Sequence, residues 1–205
     1  MLFRSADGPV IQASSQRALE LGMTLDGSLA IAAAAGVDVP LVLFSYLNPL
    51  LAAGPDVLTR AKAAGVSGLL VTDLPVGSDP RREAWLGGGP LAFVRLVAPT
   101  TPDARMAEIA HHGSGFVYLI SRLGVTGERA DVPADLPDTV ARLRRVCTLP
   151  ICVGFGVATP DHAASVGAVA DGVVVGSALV RAADRSIDEA VGLVRGMREA
   201  LDRGT

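Results

Sequence analysis

The chain has 205 residues, 50% of them hydrophobic, 4% aromatic and 19% charged, with a formal net charge of −3. That balance excludes a disordered or collagen-like chain and fits one domain with an aliphatic core. The 18 Lys and Arg residues are scattered and outnumbered by 21 Asp and Glu, so no basic stripe exists to neutralise nucleic-acid phosphates. Apolar runs are broken by Asn48, Asp73 and Asp171 before they could span a bilayer, and the N-terminus has no charged segment leading into an apolar one. Neither nucleic acid nor membrane is an expected partner, and the expected compartment is the cytoplasm. Cys147 and Cys152 lack metal-site spacing and are expected as two reduced thiols near a buried strand.

Helical patterning covers 11–21 and 25–35. From about residue 39 short aliphatic runs alternate with helical stretches, the pattern of parallel strands joined by right-handed crossovers. Strands are expected at 41–46, 68–73, 91–98, 115–119, 151–154 and 172–176. Helices are expected at 54–64, 79–85, 102–112, 136–147, 160–165 and 186–202, with a short extra helix at 177–181. Thr101-Pro102-Asp103 and Thr159-Pro160-Asp161 each place a hydroxyl at N-cap, Pro at the first helical position and an acid in the first turn. Gly87-Gly88-Gly89-Pro90 is a flexible joint within the domain. The repeating unit leaves an open doubly wound sheet or a closed eight-stranded barrel as alternatives.

Gly154-Phe155-Gly156 and Gly176-Ser177 each stand where a strand gives way to a helix. Glycines there let backbone N–H groups approach an anion, and the helix N-terminus adds a favourable dipole. In barrels the loops after the last two strands commonly hold phosphate in this way. Residues 121–127, Ser-Arg-Leu-Gly-Val-Thr-Gly, open a long polar loop that could be a lid or a solvated connection. Asp7 and Asp73 are candidate carboxylates for proton transfer, although both sit in turn-forming contexts. His111, His112 and His162 read as surface residues. Tyr46 and Tyr118 could line a pocket or fill the core.

The segments Ala6-Asp7-Gly8-Pro9-Val10-Ile11-Gln12, Tyr46-Leu47-Asn48-Pro49, Asp73-Leu74-Pro75 and Ala98-Pro99-Thr100-Thr101-Pro102 are followed by 121–127, Gly154-Phe155-Gly156 and Gly176-Ser177-Ala178. Together, in this order, they resemble the tryptophan synthase alpha chain family from Ala6 to the C-terminus. The resemblance implies a (β/α)8 TIM barrel in a single domain that cleaves indole-3-glycerol phosphate to indole and glyceraldehyde 3-phosphate. It implies that Asp7 is the catalytic aspartate facing the indole N–H, and that Thr126 and Arg122 belong to the lid. Gly127, Gly156, Gly176 and Ser177 match phosphate ligands, Tyr118 matches the pocket tyrosine, and Phe44, Tyr46 and Phe155 match the lining. It further implies a beta chain as partner in an αββα complex, with pyridoxal phosphate in that partner and no cofactor in this chain.

Against that pattern, the family's second catalytic carboxylate, a glutamate on the strand before the Asp7 loop, has no counterpart, and Glu20 and Glu83 are helical residues in the wrong places. The first two strands and first helix of the barrel are expected to be missing. The opening Met1-Leu2-Phe3-Arg4-Ser5 resembles translated sequencing adapter fused to a clipped coding segment. Six strands cannot close an eight-stranded barrel at its usual tilt, so two aliphatic edges should remain open and activity should be impaired. The alternatives are a non-catalytic phosphate-binding regulator of the beta chain and a phosphate-binding barrel isomerase.

Overall fold

A computed structural model describes residues 8–120, 133–154 and 156–203. Helices α1 (Pro9–Glu20) and α2 (Leu25–Ala34) lead into strand β1 (Leu41–Ser45), followed by α3 (Leu47–Ala52), α4 (Val57–Ala63) and β2 (Val66–Val71). Then come α5 (Pro80–Gly87), β3 (Ala92–Val97), α6 (Asp103–His111), β4 (Val117–Ile120), α7 (Leu136–Arg144) and β5 (Ile151–Gly154). The chain continues through α8 (Pro160–Gly167), β6 (Gly172–Val174), α9 (Ser177–Arg185) and α10 (Ile187–Asp202).

The six strands form one sheet in the order β1-β2-β3-β4-β5-β6, parallel at every pairing. Consecutive order with helical crossovers is the arrangement of a barrel wall rather than of a doubly wound sheet. Within the described sheet β1 and β6 are the two edges, and at β1 Val42 and Phe44 are 40% and 53% exposed.

Side chains alternate between the two faces of the sheet, as pleating requires. Leu70, Val94 and Tyr118 meet on the inner face, with Leu96 and Ile120 packed beside them. The outer face carries two aliphatic clusters beneath the helices. One gathers Leu50, Val57, Leu69, Leu86 and Phe93, the other Met106, Leu119, Leu143, Ile151 and Val166. Burying such groups is the main favourable contribution to the fold.

Helix starts follow local chemistry where the cap lies next to the helix. Thr24, Asp79, Thr159 and Ser186 each accept a backbone N–H from the first turn, of Gly27, Arg82, His162 and Glu189 respectively. Pro160 follows its cap as expected, but the parallel expectation at Thr101 fails. There Pro102 is the N-cap residue without a side-chain bond, and the Thr101 hydroxyl accepts the Ala98 N–H at 3.1 Å, closing the turn after β3. The expected helix at 54–64 is shorter, and α3 precedes it as a separate helix. Beyond β6 the expected short helix at 177–181 runs on to Arg185. Both cysteines carry free thiols, Cys147 buried and Cys152 half-buried.

Asp171 ties the sheet's last crossover to its neighbours. Its carboxylate accepts the Ile151 N–H at 2.8 Å and the Arg144 guanidinium at 2.9 Å, and these two partners hold its pKa below the ordinary carboxylate value. A lowered folded-state pKa stabilises the fold above the unfolded value and is lost as pH falls through the folded one. Asp171→Asn should therefore lower the urea midpoint at pH 7, and the gap to wild type should close below about pH 4. A gap that is constant across that range contradicts this assignment.

Candidate functional site

A cavity of about 1070 Å³ opens at the C-terminal ends of the strands, where barrel enzymes place their sites. Strand β1 and the residue after it supply Phe44, Ser45 and Tyr46, and β4 supplies Tyr118. The turn after β5 supplies Gly156 to Thr159, and the step from β6 into α9 supplies Val174 to Ala178. Ile11 and Ser15 of α1 close one flank against Arg181, Ala182 and Arg185 of α9. An Arg17 to Asp184 ion pair at 2.6 Å holds these two helices together.

Six sequence candidates among the described residues, Phe44, Tyr46, Tyr118, Gly156, Gly176 and Ser177, line this one cavity. Asp7, Arg122, Thr126, Gly127 and Phe155 lie outside the described residues. Tyr118 is 6% exposed, and burial pushes its phenol up to about 12. It is neutral at physiological pH and able to donate a hydrogen bond into the cavity. Gly154, directly across from Ile120 in the ladder, leaves room for that ring, since a Cβ there would lie 2.4 Å from the Tyr118 hydroxyl oxygen.

The two glycine loops differ in what they require. Gly156 has φ +85°, a left-handed conformation that glycine adopts without steric cost. Gly176 has φ −112° and serves as the N-cap residue of α9 with no side-chain cap. The first-turn N–H groups of α9 thus begin at the cavity lining without a side chain occupying them, and the helix dipole favours an anion there.

Several positions differ from expectation. Asp73 is not among the cavity's lining residues: its Oδ1 accepts the Leu47 N–H at 2.7 Å and so caps α3 from a different loop. His162, expected at the surface, lines the cavity, and its Nδ1 accepts the Ala158 N–H at 3.4 Å. His111 and His112 are exposed. Glu20 accepts the Gln16 amide on the exposed side of α1, and half-buried Glu83 pairs with Arg95, and neither lines the cavity.

Arg181, Arg185 and Glu189 also line the cavity and were not anticipated. Arg181 follows Ser177 by four residues, a spacing that puts both on one helix face once α9 is known to continue. Glu189, the one carboxylate among the described lining residues, pairs with Arg185. Among the described residues no group of three or more His, Cys, Asp or Glu could hold a metal, and no helix is long and apolar enough to cross a membrane.

Comparison with known proteins bears on this arrangement. The sequence profile of the family described as tryptophan synthase alpha chain matches residues 5–202. The tryptophan synthase alpha chain of Desulfatibacillum aliphaticivorans is 44% identical over 187 residues, 90% of this chain and 71% of that protein. That of Caulobacter vibrioides is 47% identical over 180 residues, 85% of this chain and 65% of that protein. Among solved structures, Mycobacterium tuberculosis tryptophan synthase superposes with a TM-score of 0.87 at 33% identity, covering 96% of this chain and 76% of that one. A mutant alpha-subunit from Pyrococcus furiosus gives 0.81 at 38% identity, covering 96% and 80%. The six-stranded parallel sheet is thus the counterpart of part of a TIM barrel, and the chain belongs to the tryptophan synthase alpha chain family of lyases.

Proposed function

We propose that this chain binds indole-3-glycerol phosphate in the cavity and cleaves it to indole and glyceraldehyde 3-phosphate, the alpha-chain step of tryptophan biosynthesis. The observation that supports this most is the convergence of Tyr118, Phe44, Tyr46, Gly156, Gly176 and Ser177 on one cavity. The phosphate would sit on the N–H groups of Gly127, Gly156, Gly176 and Ser177, with the α9 dipole behind it. The indole would lie against Tyr118, Phe44, Tyr46 and Phe155.

In a retro-aldol cleavage the indole C3 gains a proton, the bond from C3 to the glycerol chain breaks, and the adjacent glycerol hydroxyl loses its proton to become the aldehyde. Asp7 accepts a hydrogen bond from the indole N–H, which feeds electron density toward C3 and stabilises the charge that develops on the ring. Thr126 fixes Asp7 when the lid closes, and Arg122 belongs to the same lid. A group that protonates C3 is worth about 10²- to 10⁴-fold. Glu189, on α10 and half exposed, is the one carboxylate among the described lining residues, and slow turnover is the expected result.

Indole passes to a beta chain in an αββα assembly in the cytoplasm. Pyridoxal phosphate belongs to that partner, and this chain works by proton transfer without a cofactor of its own. The α9 N-terminus, whose N-cap Gly176 has no side-chain cap, requires only an anion, which fits a second reading in which the chain binds the phosphate ester and stimulates the beta chain without cleaving it.

Gly176→Ala tests the phosphate site. A Cβ there meets nothing within 4 Å, but φ −112° with ψ −90° lies outside the regions alanine favours, so urea unfolding of the variant is measured beside its affinity. The methyl would crowd the ester's approach to the backbone, and affinity should fall about tenfold, the scale of one weakened hydrogen bond to a charged group. Calorimetric titration with indole-3-glycerol phosphate, competed by inorganic phosphate, measures this. Equal affinity in wild type and variant, or no competition by phosphate, would refute the assignment.

A further inference from the structure

Strand β3 carries a charge on its helix-covered face. Arg95 is 5% exposed, between Phe93 of one outer cluster and Val97 of the other. Its guanidinium lies 3.9 Å from the Phe93 ring centroid and spreads three ways. Nε donates to the His112 carbonyl at 3.1 Å, Nη1 to the Leu74 carbonyl at 3.2 Å, and Nη2 to Glu83 Oε2 at 2.9 Å. The other oxygen of Glu83 accepts the Gly77 N–H at 2.7 Å. Burial lowers the Arg95 pKa and the Glu83 carboxylate opposes that shift.

Buried Arg95 and half-buried Glu83 thus hold both halves of the loop between β2 and α5. A buried ion pair is weak evidence for stability, because desolvation offsets the attraction, and its better attested use is to fix one arrangement. The arrangement fixed here leads to the cavity. Asp73, next to Leu74 in the held loop, caps α3 at the Leu47 N–H. Thr72 N–H donates to the Ser45 carbonyl at 3.2 Å. Leu47 directly follows Tyr46, which lines the cavity with Ser45 and Phe44.

We propose that Arg95 and Glu83 are positioning residues for the ligand site, acting through the 72–78 loop and the Asp73 cap to set Tyr46 at the cavity wall. This rests on the ligand reading given above for its functional arm only.

The test uses the full chain and two readouts, hydrogen exchange at the Leu47 amide against the Val117 amide of β4, and affinity for indole-3-glycerol phosphate. In Glu83→Leu/Arg95→Met, apolar groups of similar size replace the pair. Leu47 should exchange at least about tenfold faster with Val117 unchanged, a local opening rather than a global one. Affinity should fall about threefold or more. Asp73→Ala should give the same two changes, and the triple variant should add nothing to them, as expected for residues acting in one chain. If the double variant does not fold, Arg95→Lys keeps the charge while losing the three-way fork, and the same two readouts apply.

Wild-type protection at Leu47, or Asp73 and Arg95 effects that simply add, would overturn the proposal. Absence of any binding by wild type would instead count against the ligand reading, and the exchange experiment would still decide the positioning role.

Discussion

Gly154→Ala should abolish ligand binding and lower stability by about 1–3 kcal/mol, the usual cost of overpacking a filled core. A Cβ at this position would lie 2.4 Å from the Tyr118 hydroxyl oxygen, 2.5 Å from Cε2 and 2.8 Å from Cζ. Real Cβ contacts are not that short, so ring or backbone must move. The ring has little freedom, being 6% exposed against Leu70 and Val94. The backbone has little either, because Gly154 is held between Ile120 and Val174 in the ladder. The displaced phenol would enter the space where the indole is proposed to lie.

The pattern of rescue makes this specific. Tyr118→Phe removes the hydroxyl but keeps the two carbons within 2.8 Å, so it should rescue Gly154→Ala poorly. Tyr118→Leu removes all three clashing atoms and should restore much of the lost stability, with a coupling of about 0.5–3 kcal/mol between the two sites. Urea unfolding of the two single and two double variants checks this. Additive effects would show that the clash is relieved elsewhere.

How much of the protein was legible in its sequence follows from where each determinant sits along the chain. Thr159 and Pro160 announce α8 because cap and helix are neighbours, and the same holds for Asp79 before α5. Helix α3 was not legible, since its cap is Asp73, 26 residues away on another loop. Asp73, open in the sequence between a proton-transfer carboxylate and a turn residue, accepts a backbone N–H across that same distance. Thr101 had the right residue type beside Pro102, but a bond to Ala98 within the turn claims its hydroxyl.

The site shows the same division. Phe44, Tyr46, Tyr118 and the glycine loops were legible as motifs in a characteristic order, and the cavity collects Phe44, Tyr46, Tyr118, Gly156, Gly176 and Ser177. His162, Arg181, Arg185 and Glu189 belong to no such motif. Arg181 and Arg185 reach the cavity through the continuation of α9 and Glu189 through α10 packed against it, while His162 enters from the first turn of α8, contacts that one-dimensional patterning does not carry. The family assignment also sets aside the isomerase alternative. Arg95 within the aliphatic β3 is paired by Glu83, 12 residues earlier, a match that no local pattern marks.

The second large effect concerns catalysis. With Asp7 assigned to the indole N–H in the proposed reaction and Glu189 the one carboxylate among the described lining residues, steady-state cleavage should run about 10²- to 10⁴-fold below an alpha chain whose C3 proton donor is in place. Binding energy and backbone stabilisation of the ester remain, so the reaction should be slow rather than absent. Product analysis under single-turnover conditions, with excess chain over indole-3-glycerol phosphate, measures this most directly. Indole and glyceraldehyde 3-phosphate in equal amounts, formed above the uncatalysed rate but far below the rate of an alpha chain with its C3 proton donor in place, is the predicted result. A phosphorylated isomer of the substrate, or no indole above background while binding is saturated, would contradict it.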